Sequence, residues 1–392
     1  MAKISVLVPV FNVAPYLPKC MDSILSQTLA DIEVLCGDGG STDGSLEILR
    51  EYEAKDSRVR VISKAGSGYG ESMNECMNIA TGEYVGIVES DDWILPSIYA
   101  KLFRVAKRFS ADVVISDFYH YYGDKKIIIN ILQHGHDYGR VIFPHKEHTA
   151  FGAVIATWSG IYRRKFLVEN DIRYNETSGG SFQDIGFWCK ALCFAESIYA
   201  VQHPFYMWRQ NNPSSSIKQS EKAAERTYHE FDLLYSFLHD KTPNVTRDYA
   251  DGLTWRRLAS YLWVLERLTW EEGAKHLLRA ASDFYTLKRN GEYSEALLSE
   301  AEKAIIKRIS VCYGKTPEEI TQLRLAWELD DSRQEVKRIE ASKEYKVGQV
   351  IYAIPNVASK MLRTLREKGI KSLAYGLYNR YMRKRNENER CQ

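Results

Sequence analysis

Short apolar, β-branched runs alternate with helix-period segments through the first 115 residues. Ile4–Val8, Ile32–Cys36, Val59–Ser63, Tyr84–Val88 and Asp112–Ser116 each carry the hydrophobic pattern of a buried strand. Between them, Leu17, Met21, Ile24 and Leu25 recur at spacings of three and four, and Ser45–Ala54, Glu71–Ala80 and Ser97–Phe109 read as further helices. Ser41, Thr42 and Asp43 are available to cap the second helix. Strands spaced by helices predict right-handed βαβ units and an α/β fold with a mainly parallel sheet. In such folds ligands bind beyond the carboxyl ends of the strands. The loops after strands one, two and four are therefore expected to converge. They hold Pro9-Val10-Phe11-Asn12, Gly37-Asp38-Gly39-Gly40-Ser41-Thr42-Asp43-Gly44-Ser45 and Glu89-Ser90-Asp91-Asp92.

Over residues 117–217 the pattern loosens, and Tyr, Trp and His become frequent, as expected of a second cleft wall. Helical periodicity returns at about residue 218 and covers Ala223–His239, Tyr249–Thr269, Trp270–Thr286, Tyr293–Tyr313 and Pro317–Trp327. Asp330–Lys343 is so charged that it reads as a solvated helix or a linker. The pattern divides the chain into half-domains at 1–116 and 117–217, a helical domain at 218–335 and a tail at 336–392.

At 392 residues the chain is long enough for two or three domains, and 45% hydrophobic residues suit packed cores. Its seven cysteines are odd in number and form no CxxC pair, which points to reduced thiols and against a disulfide framework or zinc site. Ile4–Val8 is too short for a secretory h-region, and no window of about 18 apolar residues follows. A cytoplasmic protein is expected. Net charge is only +2, yet Lys343–Arg385 holds eleven Lys and Arg against two acidic residues. Within it, Ala358, Met361, Leu362 and Leu365 fall on one helical face, and Ile370, Leu373, Ala374, Leu377, Tyr378 and Tyr381 on a second. A basic amphipathic segment of this kind suits the anionic inner surface of a membrane, giving a peripheral protein. The same apolar stripe also suits packing on the body or on a second subunit of a homo-oligomer. No nucleic-acid motif accompanies the charge, so nucleic acid is not an expected partner.

Glu89, Asp91 and Asp92 crowd three carboxylates into four positions, where they repel one another unless a cation or hydrogen-bond donors lie among them. Mg²⁺ or Mn²⁺ would meet that need, with phosphate oxygens completing its shell. A solvated acidic turn is the plainer alternative. Phe11 offers a flat apolar contact for a nucleobase, and Asp38 a carboxylate able to accept from a uracil N–H beside close-packing glycines. Asp38 equally suits a turn former. Gly66-Ser67-Gly68-Tyr69-Gly70 has the spacing GxGxG, not the GxGxxG of a dinucleotide fingerprint, and follows the third strand, not the first. A Walker A loop is absent.

Together, the run from Ile4 to Asn12, the loop from Asp38 to Ser45, Asn74 in a glycine-rich helix start, and Gly82-Glu83-Tyr84 through Ser90-Asp91-Asp92 resemble the family 2 glycosyltransferases of GT-A fold. Many of these build bacterial surface polysaccharides. The resemblance runs motif by motif over residues 4–105 and more loosely to about 217. It implies a Rossmann-like sheet flanked by helices, followed here by the helical region, with a nucleotide-sugar donor, UDP-linked, in the cleft. It further implies that Pro9, Phe11 and Asp38 bind the uridine, with Asn12, Gly40, Gly68, Asn74 and Ser90 in the same donor site. Asp91 would be the metal ligand, Glu89 a second ligand or ribose contact, and Asp92 a support or a donor-sugar contact. Two positions depart from the family pattern: Gly39 stands where a second Asp is usual, and Glu89 where the DXD motif begins with Asp.

The segment from Ser178 to Trp188 resembles the family's acceptor-side Glu-Asp segment, with Gln183 in place of Glu and Asp184 as the implied base. Ser181 also suits an N-cap there. His203-Pro204-Phe205-Tyr206-Met207-Trp208-Arg209 and Ser214-Ser215-Ser216 are similar to its donor-side loop, so Arg209 would reach a phosphate, whereas His203 reads as a strand-end or core residue. The chain has no QxxRW motif, which implies addition of one sugar. The implied reaction is a metal-dependent, inverting transfer to a saccharide or lipid-linked saccharide acceptor in lipopolysaccharide or capsule synthesis. The same residues admit an inactive nucleotide-sugar-binding or scaffold protein in which Gly39 and Glu89 mark lost activity.

Overall fold

The computed structural model describes residues 2–132, 137–177, 180, 182–213, 222–242 and 244–341. Its first part reads β1 (Ile4–Val10), α1 (Leu17–Leu25), β2 (Ile32–Asp38), α2 (Ser45–Lys55), β3 (Val59–Ser63) and α3 (Tyr69–Ile79). Then come β4 (Tyr84–Ile87), β5 (Trp93–Ile94), α4 (Ile98–Phe109), β6 (Val113–Tyr121), β7 (Lys126–Ile129) and β8 (Val141–Ile142). A short 3₁₀ turn at His148–Gly152 precedes β9 (Gly160–Arg163), α5 (Arg164–Glu169), α6 (Gln183–Phe194) and β10 (Ile198–Arg209). The remainder is helical: α7 (Ala223–Lys241), α8 (Val245–Asp248), α9 (Ala250–Leu265), α10 (Trp270–Asn290), α11 (Glu300–Val311) and α12 (Pro317–Ala341).

One sheet organises these strands in the order β3-β2-β1-β4-β9-β6-β10-β5, with β7 on β6 and β8 on β10. β1 is buried at all seven positions because parallel β2 and β4 flank it and helices cover its faces, which accounts for its unbroken apolar run. The expected parallel βαβ arrangement holds from β3 to β4. Beyond it the sheet is mixed: β9 runs antiparallel to both β4 and β6, while β10 is parallel to β6. β6 extends to Tyr121, past the expected Ser116, because β7 on one side and β10 on the other cover Phe118–Tyr121.

Residues 1–258 and 290–300 form one compact unit, and residues 259–289 with those from 301 form another. In the second unit Leu277, Phe284 and Ile309 are buried, and Arg308 makes a bidentate pair with Asp331. Two sequence readings change here. The helix expected from Tyr293 begins at Glu300, since Gly291 at φ 73° ends α10 and Ser294 N–H donates to Thr254 Oγ1. α12 continues through the charged stretch to Ala341. The basic segment at 343–385 lies outside the described residues.

Gly70 shows how tightly the first unit is built around the coming site. A Cβ there would stand 2.1 Å from the carbonyl oxygen of Asn175, so only glycine lets the first turn of α3 lie against that segment. Gly70→Ala is expected to lose about 1–3 kcal/mol in urea denaturation, the usual cost of overpacking a close contact.

Candidate active site

The loops after β1 and β2 are sewn together by short polar side chains. Asn12 N–H donates to Ser41 Oγ, Asn12 Oδ1 accepts from Thr42 N–H, Val13 N–H reaches Ser45 Oγ, and Ala14 N–H reaches Asp43. Asn12 adopts φ 53°, a left-handed conformation that asparagine tolerates. These bonds leave Phe11 projecting, 61% exposed, beside Gly39. Pro9 lies inside β1 and is buried. Asp38 ends β2 with 1% exposure, and its carboxylate accepts from Gly40 N–H at 3.1 Å, Ser41 N–H at 3.2 Å and Ser63 Oγ at 2.9 Å. Gly39 has a steric reason. A Cβ there would come within 2.9 Å of the Ser67 carbonyl oxygen, because the loop before α3 folds over it and Gly66 N–H donates to Gly39 C=O. Gly68 forms the N-cap of α3 in extended conformation, turning Tyr69 toward the acidic turn.

That turn follows β4. Glu89 accepts from Tyr69 Oη at 2.7 Å, and its N–H donates to Tyr206 Oη at 3.0 Å. Withdrawal from water, aided by the Asp91 and Asp184 charges, pushes the Glu89 carboxyl up to about 8 despite the Tyr69 hydrogen bond. Ser90 is buried behind it. Asp91 is half-buried, and its Oδ2 accepts from Asn212 Nδ2 at 2.8 Å. Asp92 is 1% exposed and bonds Tyr206 Oη at 2.8 Å and Arg209 N–H at 2.7 Å, while burial holds its carboxyl well above the usual range.

Asp184 arrives from the other half of the fold, in the first turn of α6. Burial pushes its carboxyl up to about 6, with Ile185 N–H and the Arg256 charge opposing. The residue before this helix, Phe182, takes φ 77° at the N-cap, a conformation that costs on the order of 1–3 kcal/mol for a bulky side chain. Ser181 lies outside the described residues. Asn74 sits behind the site, 4% exposed, with its amide donating to Tyr174 C=O and Glu176 and accepting from Tyr174 N–H. It thus fastens α3 to the segment that leads to Asp184.

Arg209 crosses the outer side of the acidic turn. Its Nε donates to Asp91 C=O at 2.6 Å, and its guanidinium lies 4.8 Å from the ring centres of both Tyr16 and Trp93. Lys19 Nζ stands 3.4 Å from the Trp93 ring centre, and desolvation together with the Arg209 and Lys126 charges lowers its pKa. His203 lies exposed on β10, stacked on Phe205 at 4.3 Å. Ser214–Ser216 are outside the described residues.

Residues 5–168 match the profile of glycosyl transferase family 2. This part of the chain is similar to the family 2 glycosyl transferases. The chain is 30% identical over 235 residues to an uncharacterized glycosyltransferase, EpsJ, of Bacillus subtilis, covering 56% of this chain and 64% of that one. It therefore spans a little under two thirds of that relative. It is 25% identical over 298 residues to the uncharacterized glycosyltransferase YibD of Escherichia coli, covering 73% and 82%. Its fold is similar to that of S. aureus TarS in complex with UDP, with a TM-score of 0.62 at 18% identity over 84% of this chain and 92% of that one. The transferase profile ends before Asp184 and Arg209.

The geometry brings Phe11, Asp38, Glu89, Asp91 and Arg209 to or just past the carboxyl ends of β1, β2, β4 and β10, with Asp184 close enough to Glu89 for their charges to interact. Sequence reasoning missed Tyr69, Tyr206, Asn212 and Lys19. Tyr69 stood inside the glycine-rich stretch weighed as a phosphate loop, and Tyr206 inside the His203–Arg209 run. The folded pKa of Glu89 lies above its ordinary 4.5, so the stability it contributes is present below about pH 4.5 and is lost as pH rises through 8. Glu89→Gln is expected to raise the Tm of the ligand-free chain by roughly 2–4 °C at pH 8.5 and to change it little at pH 5, read by calorimetry.

Proposed function

We propose that the chain is a divalent-metal-dependent, inverting glycosyltransferase that moves one sugar from a UDP-sugar to a saccharide or lipid-linked saccharide acceptor in cell-surface polysaccharide synthesis. The observation that carries this reading is the approach of Asp184, at the start of α6, to Glu89, which shares the turn after β4 with Asp91, close enough for the Glu89 and Asp184 charges to interact. The similarity of residues 5–168 to the family 2 glycosyl transferases and the likeness of the fold to the UDP complex of TarS support it.

The residues fit a divalent cation. Asp91 Oδ1 and Glu89 Oε2 have no protein hydrogen bond among the described residues, while Asn212 and Tyr69 orient the opposite oxygens. No three ligating side chains converge among the described residues, so diphosphate oxygens and water would complete the shell, as suits Mg²⁺ or Mn²⁺. Such a cation would neutralise the diphosphate as it departs. Phe11 offers its exposed face to the uracil, Asp38 an acceptor for its edge, and Arg209 a guanidinium for phosphate. Asp184 takes the proton from the acceptor hydroxyl. A carboxylate with pKa about 6 is ionised at neutral pH yet more basic than a solvated one, which suits that task. Attack from the face opposite the diphosphate inverts the anomeric carbon.

In a UDP-release assay with Mn²⁺, UDP-sugars and a saccharide panel, the parent rate should rise with pH along an acid limb near pH 6. Asp184→Asn should reduce transfer by about 10³-fold or more while UDP affinity stays within about threefold. Loss of UDP binding in that variant would remove the base assignment. UDP binding by the parent with no transfer to any acceptor would leave a nucleotide-sugar-binding scaffold.

The basic segment at 343–385 fits this role, since the eleven cations could hold the chain on the anionic inner face of the cytoplasmic membrane beside a lipid-linked acceptor. No described helix is long and apolar enough to cross a membrane. The full chain should float with phosphatidylglycerol liposomes and a chain ending at 342 should not; equal flotation removes the tether.

A further inference from the structure

α4 lies along β10, and a groove of about 300 Å³ opens between them. Its floor is apolar, with Val105 from the helix and Val201 and Phe205 from the strand. A bulge in β10 makes the room: Val201 pairs with Ser116 and Tyr206 with Phe118, so residues 202–205 face Asp117 alone on β6. The excess chain carries His203 outward, exposed and stacked on Phe205 at 4.3 Å. Among the described residues, β10 also has no ladder partner on its outer side between Tyr199, on β8, and Tyr206, on β5. Bulges guard such open edges against further pairing. Edge protection accounts for the bulge and leaves the charges around it unexplained.

Lys101 and Arg104 line the groove, and Arg108 continues their row along α4 at a spacing of three and then four. All three are exposed, and among the described residues none of them has a carboxylate partner. Lys107, the remaining cation of the helix, is the one that pairs, with Glu83. Neither α4 nor β10 contains an acidic residue, and none lines the groove. Cations held beside one another without counter-charge repel, so a row of them over an apolar floor favours an anion that also carries apolar surface. Free phosphate would satisfy the rim and leave the floor wet. A phospholipid headgroup serves both, its phosphate at Lys101 and Arg104 and its glycerol end on Val105, Val201 and Phe205. The basic segment at 343–385 is no fit for the groove, since its charge has the same sign.

We infer that the groove between α4 and the β10 bulge seats the phosphate headgroup of an anionic membrane lipid and so fixes which side of the protein faces the bilayer. Phe205 immediately precedes Tyr206, which bonds Glu89 N–H and Asp92, so the seat lies one strand position from the support of the acidic turn. This inference rests on the proposed tether. The few cations of the rim are too weak to hold the chain alone, and stable attachment takes a second signal, which the basic segment supplies. The segment brings the chain down, and the groove orients it beside a lipid-linked acceptor.

The full-length parent would be compared with a rim variant, Lys101→Gln with Arg104→Gln, by cosedimentation with mixed phosphatidylglycerol and phosphatidylcholine vesicles at fixed ionic strength. A control variant, Lys55→Gln with Arg60→Gln, removes the same charge from α2 and β3, at the other edge of the sheet. The vesicle partition coefficient should fall about tenfold or more in the rim variant and less than about twofold in the control. The Tm of the rim variant should not fall, because neither cation has a carboxylate partner to lose. Inorganic phosphate added at constant ionic strength should not displace the parent from the vesicles. Undiminished binding by the rim variant overturns the inference. So does an equal loss in both variants, which reduces the effect to overall charge, and so does displacement by phosphate, which marks a seat for a soluble anion. A parent that binds no vesicles overturns the tether and this inference together, while UDP release still decides the transferase reading separately.

Discussion

Asp92 spends both carboxylate oxygens on β10, one on the Tyr206 hydroxyl and one on the Arg209 amide. The Tyr206 hydroxyl in turn accepts from Glu89 N–H, so one strand holds both ends of the acidic turn. In the sheet, β10 is separated from β4 by β9 and β6. The turn must therefore cross the ends of two strands before β5 joins the far edge, and Asp92 is the anchor that keeps it there. Everything proposed for Glu89 and Asp91 depends on this crossing being rigid. A buried carboxylate without those donors would be costly enough to pull the turn away from the sheet.

The energetics of the ligand-free site run uphill. Glu89 is pushed up to about 8, Asp184 to about 6, and Glu230, which accepts from Asn175 and Thr177 beside α6, to about 7, each by loss of water. Phe182 adds a left-handed backbone immediately before Asp184. Such concentrations of unfavourable terms are tolerated where the surrounding structure over-determines them. Here the supports are visible: Asn74 bonds Tyr174, Lys190 donates to Arg173 C=O and Asn175, and Glu230 accepts from Asn175 and Thr177, so three side chains from outside hold the 173–177 segment.

The strand ends and the convergence of their loops were legible because central parallel strands write themselves as unbroken apolar runs, and ligands gather at their carboxyl ends. The resemblance to family 2 transferases rested on those same loops. Other features were not legible. Tyr69 reaches Glu89 only because α3 lies flush against residue 175, a contact that depends on the missing side chain of Gly70. Asn74 advertised an amide but not its direction, and in the fold its hydrogen bonds go to Tyr174 and Glu176. The start of α11 was misread because Tyr293–Ser299 kept helical composition while Gly291 and the Ser294–Thr254 bond belong to a turn.

Gly39 also bears on how fast a donor would arrive. A second carboxylate at that position would stand next to Asp38 and add to the negative field of the loops that hold Asp38, Glu89 and Asp91, against which a diphosphate would have to approach. Glycine keeps one unit of like charge out of these loops, while the cations Lys19 and Arg209 both stand against Trp93, next to the acidic turn. Long-range steering scales with such sums of charge and is screened by salt. The steric demand of the Ser67 carbonyl thus has an electrostatic by-product: an entrance with a weaker barrier to anions, whose capture rate depends less on ionic strength.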